Sequence, residues 1–494
     1  MMVECHLNQV LGWLKLPASD ENLQVSGLSM DTRTIQAGDV FIAMSGFNVH
    51  GMDYAYQAER AGAVAVITEP VKSGRAKKAG RQKPLTIPVF ECADLGARLG
   101  HLASNFFGRP SEKMSVTAIT GTNGKTSTAW LLMHALEQLG IKAGYMGTLG
   151  VGDVNELSAL ANTTPSAIDV QRYLALMVEQ GISHVCIEVS SHALDQHRFV
   201  GTQIEHAVFT NLSRDHLDYH RTMKAYAAAK LRLFTDFGAR YLVMNADDEW
   251  GARWMDSLDA EKVISYGMHK PADWQAGEIS LNAEGIAFRL SLAAQNHQVK
   301  TQLLGDFNVE NMLAVMAVLQ SKGFAMEQIL EVVTELSPVP GRMNRIDIKA
   351  NESTLVIDYA HTPDALEQVL KALRKHVDNE LWCVFGCGGN RDKGKRPMMG
   401  AIAEQYADHV ILTDDNPRFE SSAQILADIE FGMQTKPHVI ANRQQAIAYV
   451  IDKSQPGDMV LVAGKGHESS QEIAGELHHF NDMEVVKKLI GVAA

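Results

Sequence analysis

The segment ITGTNGKTS, residues 119–127, leaves the chain few ways to fold. It follows the β-branched run MSVTA and precedes a stretch that places Leu131, Leu132, Ala135, Leu136 and Leu139 on one helical face. Strand, glycine loop, lysine, hydroxyl and helix, in that order, predict a cradle for the phosphates of a nucleotide. Gly121, Thr122, Asn123 and Gly124 supply a loop whose N–H groups can close on phosphate oxygens. Lys125 adds a point charge, Thr126 and Ser127 add hydroxyls, and the helix start adds its dipole. The common form of such a loop would carry its first glycine at position 119, where this chain has Ile119, so the loop is a variant. Binding of a Mg2+–nucleoside triphosphate is expected, but the motif alone does not separate ATPase, kinase, GTPase and ligase.

The surrounding pattern extends the same architecture. From 114 to 247 the apolar runs MSVTAIT, ISHVCIEV, HAVFTNL and ARYLVMNAD alternate with helical stretches, which predicts a mostly parallel sheet. Around 286–304 the period becomes two (Ile286, Phe288, Leu290, Leu292, then Val299, Thr301, Leu303), predicting antiparallel strands. After SPVPG at 337–341 the alternation resumes in TLVIDYA, ELWCVFGC, DHVILTDDN and DMVLVAGKG. Each of these ends in a polar or glycine-rich turn, where open α/β sheets bind ligands. Before residue 98, DVFIAM, AVAVIT and TIPVFEC predict a small α/β unit, and SNFFGRPSEK at 104–113 reads as a linker. At roughly 150 residues per domain, 494 residues allow about three units. The expected division is 1–98, 99–337 and 338–494.

Charge and cysteine usage narrow the function. A formal net charge of −13 argues against general binding of nucleic acid or an anionic membrane. The basic stretch at 71–83 reads as a solvated loop, with phosphate binding as its alternative. Five scattered cysteines suit a reducing compartment, and Cys383 and Cys387 lack the second pair that a zinc site would use. No apolar run approaches roughly 18 residues, and the N-terminus lacks a basic start followed by an apolar stretch. A soluble cytoplasmic monomer is expected.

Beyond the loop, the chain carries NTTP (162–165), EVSSHALDQHR (188–198), TNLSRDHLDYH (210–220) and AAAKLRLF (227–234). GDFNVEN (305–311), YAHTPDAL (359–366), GGNRDKGKR (388–396), DDNPR (414–418) and GKGHE (464–468) follow. In this order, and over the whole chain, they resemble the Mur ligase family of peptidoglycan precursor synthesis. The resemblance implies an N-terminal uridine-nucleotide domain, a central ATPase domain and a C-terminal Rossmann-like domain. It also implies an ATP-dependent ligase with ATP and Mg2+ as cofactors. ATP would phosphorylate the γ-carboxylate of D-Glu in UDP-N-acetylmuramoyl-L-alanyl-D-glutamate, and the amine of an incoming amino acid would capture the acyl phosphate.

Carried over position by position, Lys125 would contact the transferred phosphoryl group, and Thr126, Glu188, His216 and Lys230 would hold Mg2+. In the family the lysine at position 230 is carbamylated, which turns a cation into an anionic oxygen ligand; otherwise Lys230 reads as a solvated lysine on a plain amphipathic helix. Asn308, Arg342, Asp358 and His361 would reach the nucleotide, although Asp358 and His361 could instead cap the following helix. Met30, Thr32 and the loop Phe47, Asn48 and Val49 would lie by the uridine nucleotide. Asn162, Thr163, Thr164, Ser190, Gln196 and Arg198 would bind the muramoyl-peptide.

The incoming amino acid would be met by Arg391, Asp415, Asn416, Pro417, Arg418, Gly464 and Glu468. Meso-diaminopimelate exceeds lysine by one carboxylate. A guanidinium can take that group bidentately, so Arg418 favours diaminopimelate, with Glu468 facing the distal ammonium. A lysine-adding relative, folylpolyglutamate synthetase and a nucleotide-regulated switch are the alternatives.

Overall fold

The computed structural model describes residues 5–46, 49–70, 84–293 and 295–491. Phe47, Asn48 and the basic stretch at 71–83 lie outside the described residues. The chain divides into two compact units, Met1–Ser265 and Tyr266–Ala494.

In the first unit, Gly27–Ser29, Asp39–Ala43, Ala65–Thr68 and Val89–Glu91 form a small sheet that is parallel throughout. Its apolar face (Val40, Ile42, Ala65, Ile67) packs with Leu95, Leu99 and Leu102 of the helix Leu95–Phe106. That helix also meets Ala167–Glu179, and Arg172 Nη2 donates to Leu28 O at 2.8 Å. The larger sheet runs Ala143–Gly147, His184–Glu188, Ser115–Thr120, His206–Phe209, Tyr241–Asn245, all parallel. Gly150–Asp153 and Leu157–Ser158 extend it antiparallel at the Ala143 side. These strands are buried on both faces, which explains their near-continuous apolar composition. Val116, Val185, Ile187, Phe209 and Met244 are fully enclosed, and each large side chain so buried contributes about 1.5–3 kcal/mol.

In the second unit, Trp274–Asn282, Gly285–Leu292 and Gln295–Thr301 form an antiparallel meander, of which period-two alternation predicts the last two strands. Phe307–Ser321 and Met326–Glu335 are helices. The six-stranded sheet runs Asn344–Ile348, Ser353–Asp358, Met459–Ala463, Leu381–Phe385, His409–Leu412, His438–Val439. Only its first pair is antiparallel. His376 ties the parts of this unit together: Nε2 accepts from Gly305 N at 2.8 Å and Nδ1 donates to Asn282 O at 2.7 Å. No helix among the described residues is long and apolar enough to cross a membrane. Cys383 and Cys387 are core residues, Cys387 Sγ lying 3.7 Å from Met399 Sδ, and burial pushes the Cys387 thiol up to about 12.

Candidate active site

In the first unit, the carboxyl ends of all five parallel strands of the larger sheet supply polar groups to one region. Thr120 ends its strand and Gly121 (φ +156°) turns the chain against Thr210, whose hydroxyl a Cβ at 121 would strike. Gly124, at φ +83°, starts the helix Lys125–Gln138. A second loop clamps the first: Asn211 O accepts from Thr122 N at 2.8 Å, Asn211 Oδ1 from Asn123 N at 2.9 Å, and Thr210 Oγ1 donates to Asn123 O at 2.6 Å. Asn245 Nδ2 holds Thr210 O at 2.7 Å. The cradle is thus pre-formed, and it fits a triphosphate: glycines at the approach points, a helix start, and two lysines at its wall.

Those lysines converge on one carbonyl. Lys125 Nζ lies 3.0 Å and Lys230 Nζ 2.6 Å from Gly121 O, and Lys125 also donates to Thr122 O at 2.8 Å. Lys230 belongs to the buried stripe Tyr226, Lys230, Leu233, Phe234 of the helix Met223–Thr235 and is 1% exposed, so the reading as a solvated lysine is overturned. Burial, and then the Lys125 cation, hold its amine well below the usual lysine range. Its Nζ sits 4.7 Å from the centre of the Tyr226 ring, whose hydroxyl lies 3.2 Å from Thr122 Oγ1. Burial pushes that phenol up to about 12, so it stays a neutral partner.

Glu188, fully buried at its strand end, gathers donors from three residues on two segments. Oε2 accepts from Thr126 Oγ1 at 3.0 Å and Thr148 Oγ1 at 3.2 Å; Oε1 accepts from Thr148 N at 3.0 Å and from the Tyr145 hydroxyl. Gly147 permits this approach, since a Cβ there would collide with Glu188 Oε1. His216, at φ +52° and half exposed, stacks edge-on with His192 at 4.9 Å and faces Tyr226 at 5.9 Å; its Nε2 is 3.6 Å from Asp215 Oδ2. Among the described residues no group of three or more His, Cys, Asp or Glu is placed to hold a metal. The expected set has only Glu188 and His216 of those types. A hydroxyl beside a carboxylate, with an amine whose charged form burial disfavours, nevertheless fits a hard cation once that amine is carbamylated.

Around this core lie most of the expected peptide-binding residues. Thr164 Oγ1 donates to Glu188 O at 2.9 Å and accepts from Ser190 N at 3.0 Å, and Thr163 Oγ1 is 3.2 Å from Thr148 Oγ1. Arg198 Nη1 donates to Thr164 O at 3.2 Å, Nη2 pairs with Gln196 Oε1, and Gln196 Nε2 meets the Tyr219 hydroxyl at 3.1 Å. Asn162 is exposed, as are Met30 and Val49, while Thr32 is half-buried; no hydrogen bond joins Met30, Thr32 or Val49 to this cluster.

The second unit carries the other constellation at its own strand ends. Asp358, buried, accepts from Met343 N at 2.9 Å and Ala360 N at 2.8 Å; burial raises its carboxyl above the usual range. His361 Nδ1 donates to Tyr359 O at 2.9 Å. The following helix Pro363–Arg374 is capped by Thr362, so neither Asp358 nor His361 serves as its cap. Arg342 is exposed beside them, and Asn308 is buried, its Nδ2 on Leu304 O at 2.8 Å.

Asp415, Asn416, Pro417 and Arg418 follow the strand His409–Leu412. Asn416 Nδ2 donates to Glu468 Oε2 at 3.1 Å, and Lys465 Nζ, fully buried, donates to Glu468 Oε2 at 2.9 Å and Asn416 Oδ1 at 3.2 Å. Burial raises the Asp415 carboxyl; Gly464 lies against it, and Lys465 Nζ is 3.8 Å from its Oδ1. Arg418 Nη1 donates to Gly389 O at 2.9 Å, Pro417 is buried against Gly389, and Arg391 is exposed near Gly388. Asn416, Arg418, Glu468 and Glu472 line a cavity of about 400 Å3. Sequence reasoning missed Tyr145, Thr148, Thr210, Asn211 and Tyr226, and in this unit Lys465 and Glu472. Several of them stand inside the motifs quoted, and that adjacency was the available signal.

Fold and loop together define a phosphate-loop nucleotide-binding α/β protein with a separate polar pocket at a second sheet. Residues 24–107 match the model for the Mur ligase family, catalytic domain, 119–319 the Mur ligase middle domain, and 341–466 the Mur ligase, glutamate ligase domain. The chain is 44% identical over 475 residues to the UDP-N-acetylmuramoyl-L-alanyl-D-glutamate--2,6-diaminopimelate ligase of Xylella fastidiosa strain Temecula1, covering 94% of each chain. It is 44% identical over 489 residues to the ligase of the same name from Xanthomonas oryzae pv. oryzae, covering 98% of this chain and 97% of that one. A solved structure of a ligase of that name superposes with a TM-score of 0.76 at 36% identity over 99% of both chains. The chain belongs to the Mur ligase family.

Proposed function

We propose that the chain is an ATP-dependent ligase joining meso-2,6-diaminopimelate to the D-Glu γ-carboxylate of UDP-N-acetylmuramoyl-L-alanyl-D-glutamate, in cytoplasmic peptidoglycan precursor synthesis. The observation that carries the reading is the cavity in which the Arg418 guanidinium stands with the Glu468 carboxylate, a cation and an anion for a ligand ending in both charges. The segments 1–98, 99–337 and 338–494 serve as uridine-nucleotide, ATP and amino-acid domains. The protein works as a monomer.

The chemistry follows from the groups present. A carboxylate is a poor acyl donor until one oxygen becomes a good leaving group. The γ-carboxylate oxygen bonds to the terminal phosphorus of ATP and ADP departs. The amine nitrogen of the diamino acid then bonds to the carbonyl carbon, phosphate leaves, and the nitrogen sheds a proton. Lys125 holds phosphoryl oxygens through an ammonium that now rests on loop carbonyls. Mg2+ supplies charge neutralisation between two anionic reactants, with Thr126, Glu188, His216 and carbamylated Lys230 as its holders. Thr163, Thr164, Ser190, Gln196 and Arg198 orient the peptide, with Asn162 at its edge and Met30, Thr32, Phe47, Asn48 and Val49 toward the uridine. Asn308, Arg342, Asp358 and His361 meet the nucleotide. Arg391, Asp415, Asn416, Pro417, Arg418, Gly464 and Glu468 receive the amino acid.

Incubation with ATP, Mg2+, the UDP-linked dipeptide and either diaminopimelate or lysine, followed by mass analysis of the nucleotide-sugar, tests this directly. The expected product gains one diaminopimelate residue as ADP and phosphate appear; a lysine product alone would replace this reading with that of a lysine-adding relative. Arg418→Ala removes a charge-assisted pair contributing about 1.5–3 kcal/mol. It should therefore lower kcat/KM for diaminopimelate by roughly ten- to a hundredfold, with the KM for ATP unchanged.

A further inference from the structure

The amino-acid pocket holds a second acid that the reading above leaves without a role. Resting on that reading, we propose that Glu472 tunes the binding of the incoming amino acid. Its carboxylate occupies one edge of the Arg418 guanidinium, and the second carboxylate of the incoming diamino diacid must displace it.

The pair is built into the backbone. The segment from Gln471 to Ala474 runs along Asp415–Arg418 through four hydrogen bonds besides the ion pair. Gln471 Nε2 donates to Asp415 O at 2.6 Å and Glu472 N to Asn416 Oδ1 at 2.9 Å. Arg418 N donates to Glu472 O at 3.0 Å, and Ala474 N to Arg418 O at 2.7 Å. Arg418 sits at φ +52° and forms a parallel bridge with Ile473. With both backbones fixed, Arg418 Nε donates to Glu472 Oε2 at 2.9 Å, and the two side chains are 21% and 30% exposed.

The guanidinium's donors are thereby shared out. Nε serves Glu472 and Nη1 serves Gly389 O, while Nη2 makes no hydrogen bond among the described residues. Bidentate capture of a carboxylate uses two adjacent N–H groups. On the Nε–Nη2 edge, a ligand carboxylate forms two bonds where Glu472 forms one, so the exchange favours the ligand but sets a threshold. An amino acid lacking the second carboxylate has nothing to exchange and meets an arginine already neutralised. The resident acid therefore sets how strongly the diacid binds, while the preference for a diacid rests on the arginine.

Glu472→Gln keeps the shape and removes the charge. The KM for diaminopimelate should fall about fivefold, equivalent to about 1 kcal/mol for a partly exposed pair. The KM for ATP should not move. Glu472→Ala should act in the same direction, and in an Arg418→Ala background neither substitution should lower the KM. An unchanged or raised KM in Glu472→Gln, or an equal fall without Arg418, overturns this role alone. Absence of diaminopimelate-dependent phosphate release from the unsubstituted protein overturns the substrate assignment and this role together.

Discussion

Lys230→Ala is expected to lower diaminopimelate-dependent phosphate release by about a hundred- to a thousandfold, on the scale of losing one preorganised group that offsets developing charge. A lysine at 1% exposure, 2.6 Å from Gly121 O and beside the Lys125 ammonium, is poorly placed to stay charged. An uncharged amine is the form that bonds to the carbon of carbon dioxide, and the resulting carbamate is an anion among cations. Lys230→Arg separates this role from a purely structural cation. Arginine keeps the charge and the donor to Gly121 O but forms no carbamate, so it should be as inactive as alanine. Full activity of Lys230→Arg would sink the carbamate role, and full activity of Lys230→Ala would remove Lys230 from the machinery altogether. Added acetate should restore part of the activity of Lys230→Ala by returning a carboxylate to the space.

How much of this was legible in the sequence depends on the range of the interactions. The strands at 115–120, 184–188, 206–209 and 241–245 fall inside the apolar runs read from the sequence because each is buried on both faces and needs no partner identity to declare itself. The last two strands of the meander, at 285–292 and 295–301, announced themselves by alternation for the same local reason. Glu188 was legible as a strand-end acid within a motif, yet its donors Tyr145 and Thr148 come from another strand end, and no periodicity links them to it. The clamp of Thr210 and Asn211 on the phosphate loop spans almost ninety positions and is likewise invisible locally. Lys230 is the instructive case: its spacing from Tyr226, Leu233 and Phe234 put it on the apolar stripe, and that position on the helix was itself the sign of burial.

Lys465 and Glu472 show a different limit. The reading of the pocket assigned ligand-facing roles to Arg418 and Glu468, as though each charge awaited only the substrate. In the folded unit each already has a protein partner, Glu472 for Arg418 and Lys465 for Glu468. Burying charged groups is unfavourable unless they are paired, so the pocket compensates its charges internally and ligand recognition becomes an exchange of partners.

The same principle sets the largest expected effect on stability. Arg443 and Asp482 are both fully buried and bidentate, with Nε–Oδ1 at 2.7 Å and Nη2–Oδ2 at 2.8 Å. Arg443 opens the helix Arg443–Lys453, Asp482 opens Asp482–Leu489, and Arg443 Nη2 also donates to Ala463 O at 2.9 Å, at the end of a central strand. Asp482→Ala leaves a guanidinium that cannot be neutralised, and should destabilise the second unit by about 3–5 kcal/mol, the cost of an uncompensated buried charge. Arg443→Met should cost less, because a carboxylate left behind can take up a proton. The pair Arg443→Met with Asp482→Leu should recover most of the loss, since two apolar side chains leave no charge unpaired. Denaturant titration of the full chain, reading the first transition to unfold, orders the three variants. If Asp482→Ala proved as stable as the parent, or the double variant weaker than both single ones, the ion pair would not be what holds these two helices to the sheet.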